Sequence, residues 1–359
     1  DALRYIYPVQ TSYAKGLLLL NYQNGTCDFI STSGEKVWSF KPDSSEYVDM
    51  PRVMTSFYGN RYYVRLVNDS SVYLTCSKTV KGITKSFDIR KLNLVTGRHE
   101  WDHVLETNTD QYVHGLSMRE YKGKLYIMGD HVPYNKSGTI DMVKNLGYHI
   151  RILNAQGQVE RFNYLIWDNL NGELAVTPTG KVDKNYRLFT DRFFVLDDGT
   201  VAILAEKVRP SFRLEILDLI PVLGTLTSMA LGRRTSVGDF VLFQLNDSLK
   251  LQKTHVIAKE KSKSWSSNSD YLFSHYYNDR NGIVFYYSAE VKNPETKKTE
   301  TVLGINVYDG KGVQEERIPL YSPRKFSIIP VPAKEGYVML NERNEKEKYN
   351  QVRLERLNF

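Results

Sequence analysis

Cysteine is scarce in this chain: Cys27 and Cys76 are the two that occur among 359 residues. They form no CxxC pair, and no histidine follows them at zinc-finger spacing, so a structural zinc site is not predicted. So few cysteines also exclude a disulfide-rich scaffold. A disulfide between the two is an open alternative, because spacing alone does not determine pairing.

Catalytic signatures are also lacking. None of the seven histidines lies in a GxSxG, HExxH or comparable context. His99 and His103 are four residues apart, but on a strand this spacing separates them by about 13 Å, too far to share one ion. The sequence therefore predicts no metal and no cofactor, and it favours a protein that is not an enzyme.

Charge of one sign is not concentrated anywhere along the chain. The net charge is +7, with 48 basic residues dispersed among 41 acidic ones. The densest basic run, residues 259–263 (KEKSK), is interpreted as a solvated loop rather than a nucleic-acid or membrane patch. Nucleic acid is therefore not an expected partner.

Long apolar runs are absent except at residues 214–232 (LEILDLIPVLGTLTSMALG). This run contains Glu215 and Asp218, and Pro221 would interrupt a helix, so no transmembrane span is predicted. We expect an apolar helical insertion over residues 209–235, within the fourth blade. If the insertion is exposed, Leu219 and Leu223 are the expected partner-binding residues; the alternative is a lid or core helix.

Aromatic residues are abundant, with 25 Tyr and 15 Phe, which favours strands. A hairpin of two apolar strands around a short turn recurs six times, and the aligned turn residues are Gly16, Asn60, Gly123, Gly199, Gly282 and Gly336. A second hairpin follows most copies, which gives four strands per unit. The sequence therefore predicts an all-β fold, a single β-propeller domain over residues 1–359 with about six blades, five or seven being alternatives.

Two of the second hairpins, residues 31–40 (STSGEKVWSF) and 92–101 (LNLVTGRHEW), resemble the T-G-x-x-x-W repeats of quinoprotein-type propellers. That resemblance implies that each Trp docks one blade on the next. The chain has no adjacent cysteines of the kind that quinoprotein dehydrogenases carry, so no cofactor residue follows from it. The chain also resembles the uncharacterised secreted propeller-like proteins of gut Bacteroidota, which implies a periplasmic or cell-surface location.

Both ends of the chain bear on this expectation. The chain begins at Asp1, which suggests a processed or trimmed N-terminus, and membrane association through a lost N-terminal segment is one option. Its last residues, QVRLERLNF, supply only a third strand. Either the final blade has three strands, or a preceding segment completes it and closes the ring.

Five connections between the second and third strands of the units are long, which predicts a recognition face. They are residues 68–86, 131–147, 206–238, 290–301 and 342–350. The first strands begin at that face, so residues about nine to twelve positions before each turn are expected to ring a channel mouth. The candidate ligand-binding residues are Tyr5, Tyr7, Arg52, Tyr112, His114, Arg187, Tyr271 and Arg324.

Aromatic rings stack on apolar sugar faces, and guanidinium groups hold carboxylates or sulfates. The predicted function is therefore a non-enzymatic binding or protein-interaction module, whose partner is a glycan or another protein. The alternative is a carbohydrate-active hydrolase or lyase, which needs two carboxylates at the mouth. Candidates for these are Asp49, Asp110, Asp191 and Asp270.

Overall fold

Nearly every regular element of this protein is a β-strand. A computed structural model describes residues 4–21, 24–42, 59–80, 83–106, 111–133, 144–170, 174–183, 186–210, 235–259, 262–264, 272–277, 282–292, 297, 299–320, 327–333, 336–344 and 348–356. Apart from a 3₁₀ turn at Trp167–Asn169, the regular elements in these residues are strands. The predicted all-β class is confirmed.

The chain divides into two compact units, residues 1–166 and 167–359. The first unit holds three four-stranded sheets. The first sheet is β1 (Arg4–Gln10), β2 (Lys15–Asn21), β3 (Cys27–Ser31) and β4 (Lys36–Phe40). The second is β5 (Gly59–Val67), β6 (Ser71–Val80), β7 (Ile83–Asn93) and β8 (His99–Glu106). The third is β9 (Gln111–Tyr121), β10 (Lys124–Pro133), β11 (Gly147–Leu153) and β12 (Val159–Ile166).

The second unit holds three further sheets. The fourth sheet is β13 (Lys181–Val182), β14 (Tyr186–Val195), β15 (Val201–Pro210), β16 (Thr235–Leu245) and β17 (Leu251–Ile257), with β18 (Ser262–Ser264) paired to β16. The fifth is β19 (Leu272–Tyr277), β20 (Gly282–Lys292), β21 (Thr299–Tyr308) and β22 (Val313–Leu320). The sixth is β23 (Ser327–Pro332), β24 (Tyr337–Asn344) and β25 (Tyr349–Arg356).

In each sheet, strands that follow one another along the chain are antiparallel neighbours, except that β18 pairs with β16 rather than with β17. A succession of such meanders is the arrangement of propeller blades, and the fold is of the β-propeller type. Turns at Gly123, Gly199 and Gly336 fall where they were predicted, and all three residues have positive φ, which glycine adopts without strain. The number of blades and the single domain over residues 1–359 stay predictions.

Two copies of the hairpin were aligned wrongly. In the first copy Gly16 lies inside β2, opposite Val9, and the turn is at Thr11–Ala14.

The second copy is wrong in the same way. Asn60 is not a turn residue but lies inside β5, opposite Lys78. The turn is at Asn68, whose side-chain oxygen accepts hydrogen bonds from the backbone N–H groups of Ser70 (3.0 Å) and Ser71 (2.7 Å). The hydrogen bonds of the Asn68 side chain stabilise a turn there, whereas the glycine and asparagine at residues 59–60 form part of a strand. Arg52 was chosen by counting back along the sequence from Asn60, so that count starts from the wrong residue.

Strands extend into the predicted long connections. Residues 68–86 are mostly strands β6 and β7, so a loop there was wrong. Strands β15 and β16 extend to Pro210 and Thr235, which pair with each other. Three residues of the predicted helical insertion, namely Arg209 and these two, therefore lie in strands. Residues 211–234 of that prediction lie outside the described residues.

Consecutive sheets pack face to face within each unit. The core between the first and second sheets includes Leu18, Trp38 and Val72. Between the fourth and fifth sheets, Phe240 and Phe285 meet edge to face at 5.3 Å. Alternate residues of each strand supply these cores, and each fully buried large apolar side chain contributes about 1.5–3 kcal/mol.

Two tryptophans join neighbouring sheets of the first unit in the same way. Trp38 donates its Nε1–H to the Leu94 carbonyl oxygen at 2.7 Å, and its ring lies on Gly97. Trp101 lies on Gly157 in the same manner. In both cases the tryptophan belongs to the last strand of one sheet, and the glycine to the last turn of the next. Any side chain on these glycines would occupy the place of the indole.

The two cysteines belong to the same core but form no disulfide. The alternative of a Cys27–Cys76 disulfide is therefore not what the structure shows. Burial, and then the neighbouring Asp28 carboxylate, raises the pKa of the Cys27 thiol to about 12. The thiol is therefore neutral at physiological pH and serves as a small apolar side chain.

Candidate functional site

Several residues singled out from the sequence lie outside the described residues. Among the predicted ligand-binding residues these are Arg52, Tyr271 and Arg324. Both predicted partner-binding residues, Leu219 and Leu223, are also outside. Their roles stay predictions.

The other predicted ligand-binding residues lie on first strands of their sheets or beside them. Tyr5 and Tyr7 alternate on β1, so they share one strand face, and they are 58% and 39% exposed. Tyr112 and His114 lie in β9, where their backbones pair with β10. Arg187 is half-buried in β14. A channel mouth shared by all of them stays a prediction.

A groove on the second unit was not predicted from the sequence. It has a volume of about 470 Å³ and runs between β17 and β22, the last main strands of the fourth and fifth sheets. We call it the outer groove; its lining residues are His255, Val256, Ile257, Ala258, Val313, Glu315 and Arg317. The lining combines apolar side chains with a carboxylate, a guanidinium and an imidazole, a composition typical of ligand sites.

The Glu315 carboxylate in the outer groove is held in place by two other side chains. It accepts a hydrogen bond from the Tyr287 hydroxyl at 2.5 Å. Arg317 lies two residues further along the same strand and donates to both carboxylate oxygens, at 3.1 and 3.4 Å. Burial, and then the hydrogen bond to Glu315, raises the pKa of Tyr287, so its hydroxyl stays a donor. The groove therefore presents acceptors and donors side by side in a set geometry.

Gly304 makes room for the tyrosine of this arrangement. It lies opposite Tyr287 across β20 and β21, and a Cβ atom at Gly304 would fall 2.0 Å from the Tyr287 ring. The Tyr287 ring therefore lies flat across Gly304 of β21 and brings its hydroxyl to β22, the strand on the far side of β21. The missing side chain in the middle strand decides where the hydroxyl points.

A buried ion pair lies behind the groove. Lys259 donates to Glu206, and their side chains are 5% and 1% exposed. The Lys259 ammonium lies 4.2 Å from the ring centre of Phe240 and 5.5 Å from that of Tyr287. Burial outweighs the attraction of Glu206 and lowers the pKa of Lys259. The prediction that the basic run at 259–263 is solvated is therefore wrong for its first residue.

A second lysine, Lys207, follows Glu206 on strand β15 and has its own carboxylate partners. Lys207 donates to Asp183 at 2.6 Å and to Asp239 at 3.0 Å. Burial disfavours its charge, but the two carboxylates outweigh burial and raise the pKa of Lys207. A β-bulge at residues 206–208 places these consecutive charges where separate partners satisfy them. A sequence signal existed: Glu206 and Lys207 interrupt the apolar run VAILA.

Two buried histidines form an aromatic cluster on the third sheet. His131 and His149 are 2% and 1% exposed. The Tyr164 ring centre lies 4.7 Å from the His131 ring and 5.8 Å from the His149 ring. Among the described residues, neither ring nitrogen of His131 has a hydrogen-bond partner. Burial, followed by the charge of Arg151, lowers the pKa of His149 to about 3.

This cluster makes the protein sensitive to acid. The unfolded chain binds a proton at the ordinary histidine pKa near 6.5, but folded His149 does not until about 3. His149 therefore contributes full stability above about pH 6.5, and that contribution falls by about 1.4 kcal/mol per pH unit between these values. In urea titrations from pH 7 to pH 5, we expect His149→Phe to lose less stability than the wild type.

The control is His99→Phe, which changes a surface imidazole whose Nε2–H donates to the Asp102 carboxylate. It should keep the steep acid dependence of the wild type. Equal slopes for wild type and His149→Phe would contradict the assignment of the acid sensitivity to His149.

The two histidines of the HEWDH motif have different partners. His99 contacts Asp102 at 2.9 Å, whereas His103 accepts a hydrogen bond from Arg151 at 3.0 Å. Burial and Arg151 lower the pKa of His103, which keeps it neutral. Within the part of the chain that is described, no three His, Cys, Asp or Glu side chains converge as a metal ion requires.

Successive meander sheets and a polar groove on their outer strands define this molecule as a β-propeller-type protein with a candidate binding site. The chain belongs to a family of unknown function, DUF6770, whose model matches residues 22–358. No curated protein matches the chain.

Similar solved structures have low sequence identity. A europium-containing methanol dehydrogenase is 10% identical with a TM-score of 0.39; the match covers 99% of this chain and 69% of that one. A subtype N11 neuraminidase-like protein of A/flat-faced bat/Peru (H18N11) is 12% identical with a TM-score of 0.37, over 83% and 69%. Prolyl oligopeptidase B from Galerina marginata is 9% identical with a TM-score of 0.36, over 92% and 38%. At such TM-scores these similarities carry no argument about activity.

In the residues for which a placement is described, no helix has both the length and the apolar character that crossing a bilayer requires.

Proposed function

We propose that the protein is a non-enzymatic binding module that recognises a saccharide in the outer groove. The observation that supports this most is the Glu315 carboxylate, held by Tyr287 on one side and by Arg317 on the other. Paired donors and acceptors at fixed spacing match the vicinal hydroxyl groups of a sugar ring. Val313 and Ile257 add apolar surface for the C–H faces of the ring.

Binding is favoured over hydrolysis by the composition of the groove. Glycoside hydrolysis generally uses two carboxylates that flank the scissile bond. Among the described lining residues the groove has one carboxylate, Glu315, and two side chains already engage it. A carboxylate fixed in this way suits recognition better than proton transfer.

Further parts of the proposal rest on the sequence. The resemblance to secreted propeller-like proteins of gut Bacteroidota supports an extracytoplasmic location, where polysaccharides are encountered. The predicted mouth residues, such as Tyr5 and Tyr7, are a separate candidate contact region on the first unit. The apolar run at residues 214–232 supports a protein partner in addition.

A glycan and polysaccharide array tests the proposal. We expect saccharide binding by the wild type, and at least about tenfold weaker binding, or about 1.4 kcal/mol, by Arg317→Ala and Glu315→Gln. Lys124→Ala is the matched control, because Lys124 is 41% exposed like Arg317 and also pairs with a glutamate. It lies on the first unit and should bind like the wild type.

Two outcomes would count against the proposal. If Arg317→Ala binds as well as Lys124→Ala does, the outer groove is not the site. If the wild type releases reducing sugars from a bound polysaccharide, the protein is a carbohydrate-active hydrolase or lyase instead.

A further inference from the structure

Two buried polar residues lie directly behind the lining of the outer groove. Asn306 of β21 is the antiparallel neighbour of Glu315 on β22, and Tyr308 is the neighbour of Val313. Directly opposed residues on neighbouring strands project from the same face of a sheet. Asn306 and Tyr308 therefore share a face with two residues that line the groove, but they lie one strand deeper and are both 0% exposed.

The polar atoms of both side chains lack a hydrogen-bond partner among the described residues. This applies to the amide nitrogen and the amide oxygen of Asn306 and to the hydroxyl of Tyr308. A buried polar group without a partner costs free energy, and most such groups in folded proteins therefore have one. Asn93 is the usual case, because its side-chain oxygen accepts from the backbone N–H groups of Val95 and Thr96, both at 3.0 Å. The amide of Asn306 is therefore available to a bound molecule.

The place of Asn306 beside Glu315 selects the chemical group that fits. An ionised carboxylate only accepts hydrogen bonds, whereas an amide both donates and accepts. A hydroxyl group between the two side chains donates to Glu315 and accepts from the amide nitrogen of Asn306, so it satisfies both. A carboxylate in that place would be repelled by Glu315, and a methyl group would leave the amide unpaired.

Only a slender group reaches a residue at this depth. The exocyclic hydroxymethyl group of a hexose carries its hydroxyl one carbon away from the ring, so this hydroxyl extends further than the ring hydroxyls do. Its entry requires side chains of β22 to move outward, since Asn306 is covered. No residue of β22 is buried, and an exposed strand of this kind has few contacts to give up.

We propose that Asn306 determines the specificity of the outer groove for hexoses, by binding the exocyclic hydroxymethyl group of the sugar together with Glu315. This inference rests on the proposed function, since it concerns the same groove. Pentoses lack the hydroxymethyl group, 6-deoxyhexoses carry a methyl group in its place, and uronic acids carry a carboxylate. All three classes therefore bind more weakly than hexoses of the same stereochemistry.

Matched glycosides on a glycan array test the ligand class. Cellohexaose and xylohexaose differ only by the hydroxymethyl groups, and galactosides and mannosides differ from their 6-deoxy and uronic acid forms only at the same carbon. For whichever hexose glycans the wild type binds, we expect at least about tenfold weaker binding of the counterpart, because a site built to pair with a hydroxyl rejects the analogue without it. Equal binding of a hexose glycan and its counterpart would overturn the inference, and this comparison depends on no variant.

Asn306→Leu tests the residue with two measurements. The substitution removes an unpaired buried amide and keeps a similar volume, so the urea midpoint should not fall. Hexose binding should weaken at least about tenfold, and the preference for hexoses should disappear. Asn93→Leu is the matched control: it removes a hydrogen-bonded asparagine on the first unit, so it should lower the urea midpoint and leave binding unchanged.

Two results separate this inference from the proposed function. If Arg317→Ala loses saccharide binding while Asn306→Leu keeps the preference for hexoses, Asn306 is not the specificity-determining residue, although the outer groove remains the site. If the wild type binds no saccharide at all, both the inference and the proposed function are wrong. A lower urea midpoint for Asn306→Leu, together with an unchanged preference for hexoses, would mean that Asn306 has a structural role only.

Discussion

Replacing Glu206 by alanine is expected to lower the free energy of unfolding of the second unit by about 3–5 kcal/mol. Glu206 is 1% exposed and pairs with Lys259, which is 5% exposed. Its removal leaves a buried ammonium that faces the rings of Phe240 and Tyr287, and the Asp239 carboxylate attracts it without a direct hydrogen bond among the described residues. Aromatic faces attract a cation by about 0.5–2 kcal/mol, which does not replace a carboxylate. Urea unfolding of the purified protein measures the loss.

Two further variants distinguish the destabilisation caused by an unpaired buried charge from the destabilisation that any loss of a glutamate would cause. Glu160→Ala removes the partner of Lys124 on the surface, and it should cost less than about 1 kcal/mol. The double variant Glu206→Met, Lys259→Met removes both charges and should recover most of the stability, because packed apolar residues replace buried ion pairs at little cost. If Glu206→Ala and Glu160→Ala lose the same stability, the pair is not buried as the structure has it.

Replacing Gly97 by alanine is expected to destabilise the first unit by about 3 kcal/mol. The new Cβ would lie 2.5 Å from Trp38 Cδ2, so the indole must move. Displacement breaks its hydrogen bond to Leu94, worth about 1 kcal/mol, and loosens a buried aromatic contact. The left-handed backbone at Gly97, with φ of 69°, adds about 1 kcal/mol of strain for a residue with a side chain. Thermal unfolding followed by tryptophan fluorescence reports both stability and the indole environment.

Gly34→Ala is the matched control for this substitution. Gly34 occupies the corresponding turn of the first sheet with φ of 85°, and no described atom lies within 4 Å of the place of its Cβ. It should cost only the backbone strain of about 1 kcal/mol. Equal losses for the two alanine variants would mean that Trp38 does not depend on Gly97.

Much of the fold was predictable because it depends on local chemistry. Gly123 and Gly199 lie in tight turns that need positive φ, and the apolar strands around them are continuous in the sequence. The turn predicted for the second copy of the hairpin was wrong because glycine and asparagine at residues 59–60 look like a turn. The hydrogen bonds of the Asn68 side chain place the turn at Asn68 instead. Where two local signals compete, the one with more hydrogen bonds prevails.

The candidate site was predictable only in its residue types. Arginine and tyrosine were expected to hold a ligand. Arg317 lines the outer groove and the buried Tyr287 holds its Glu315 from behind, but neither was among the residues chosen. The choice assumed a channel mouth at the starts of the first strands. That mouth stays a prediction. The outer groove is a separate feature between the last main strands of two sheets, whose lateral approach has no local signature.

The sequence by itself determined the order of the strands, their antiparallel meanders and the alternation that gives each sheet two packing faces. These follow from turn residues and from a period of two, both of which act between near neighbours. The tertiary structure alone decided that Lys259 meets Glu206, 53 residues away, and that the Tyr287 hydroxyl on β20 reaches Glu315 on β22, across the intervening strand β21. Each of these contacts crosses the middle strand of one sheet, so it depends on the register of three strands and on the packing of many side chains rather than on any spacing within the chain.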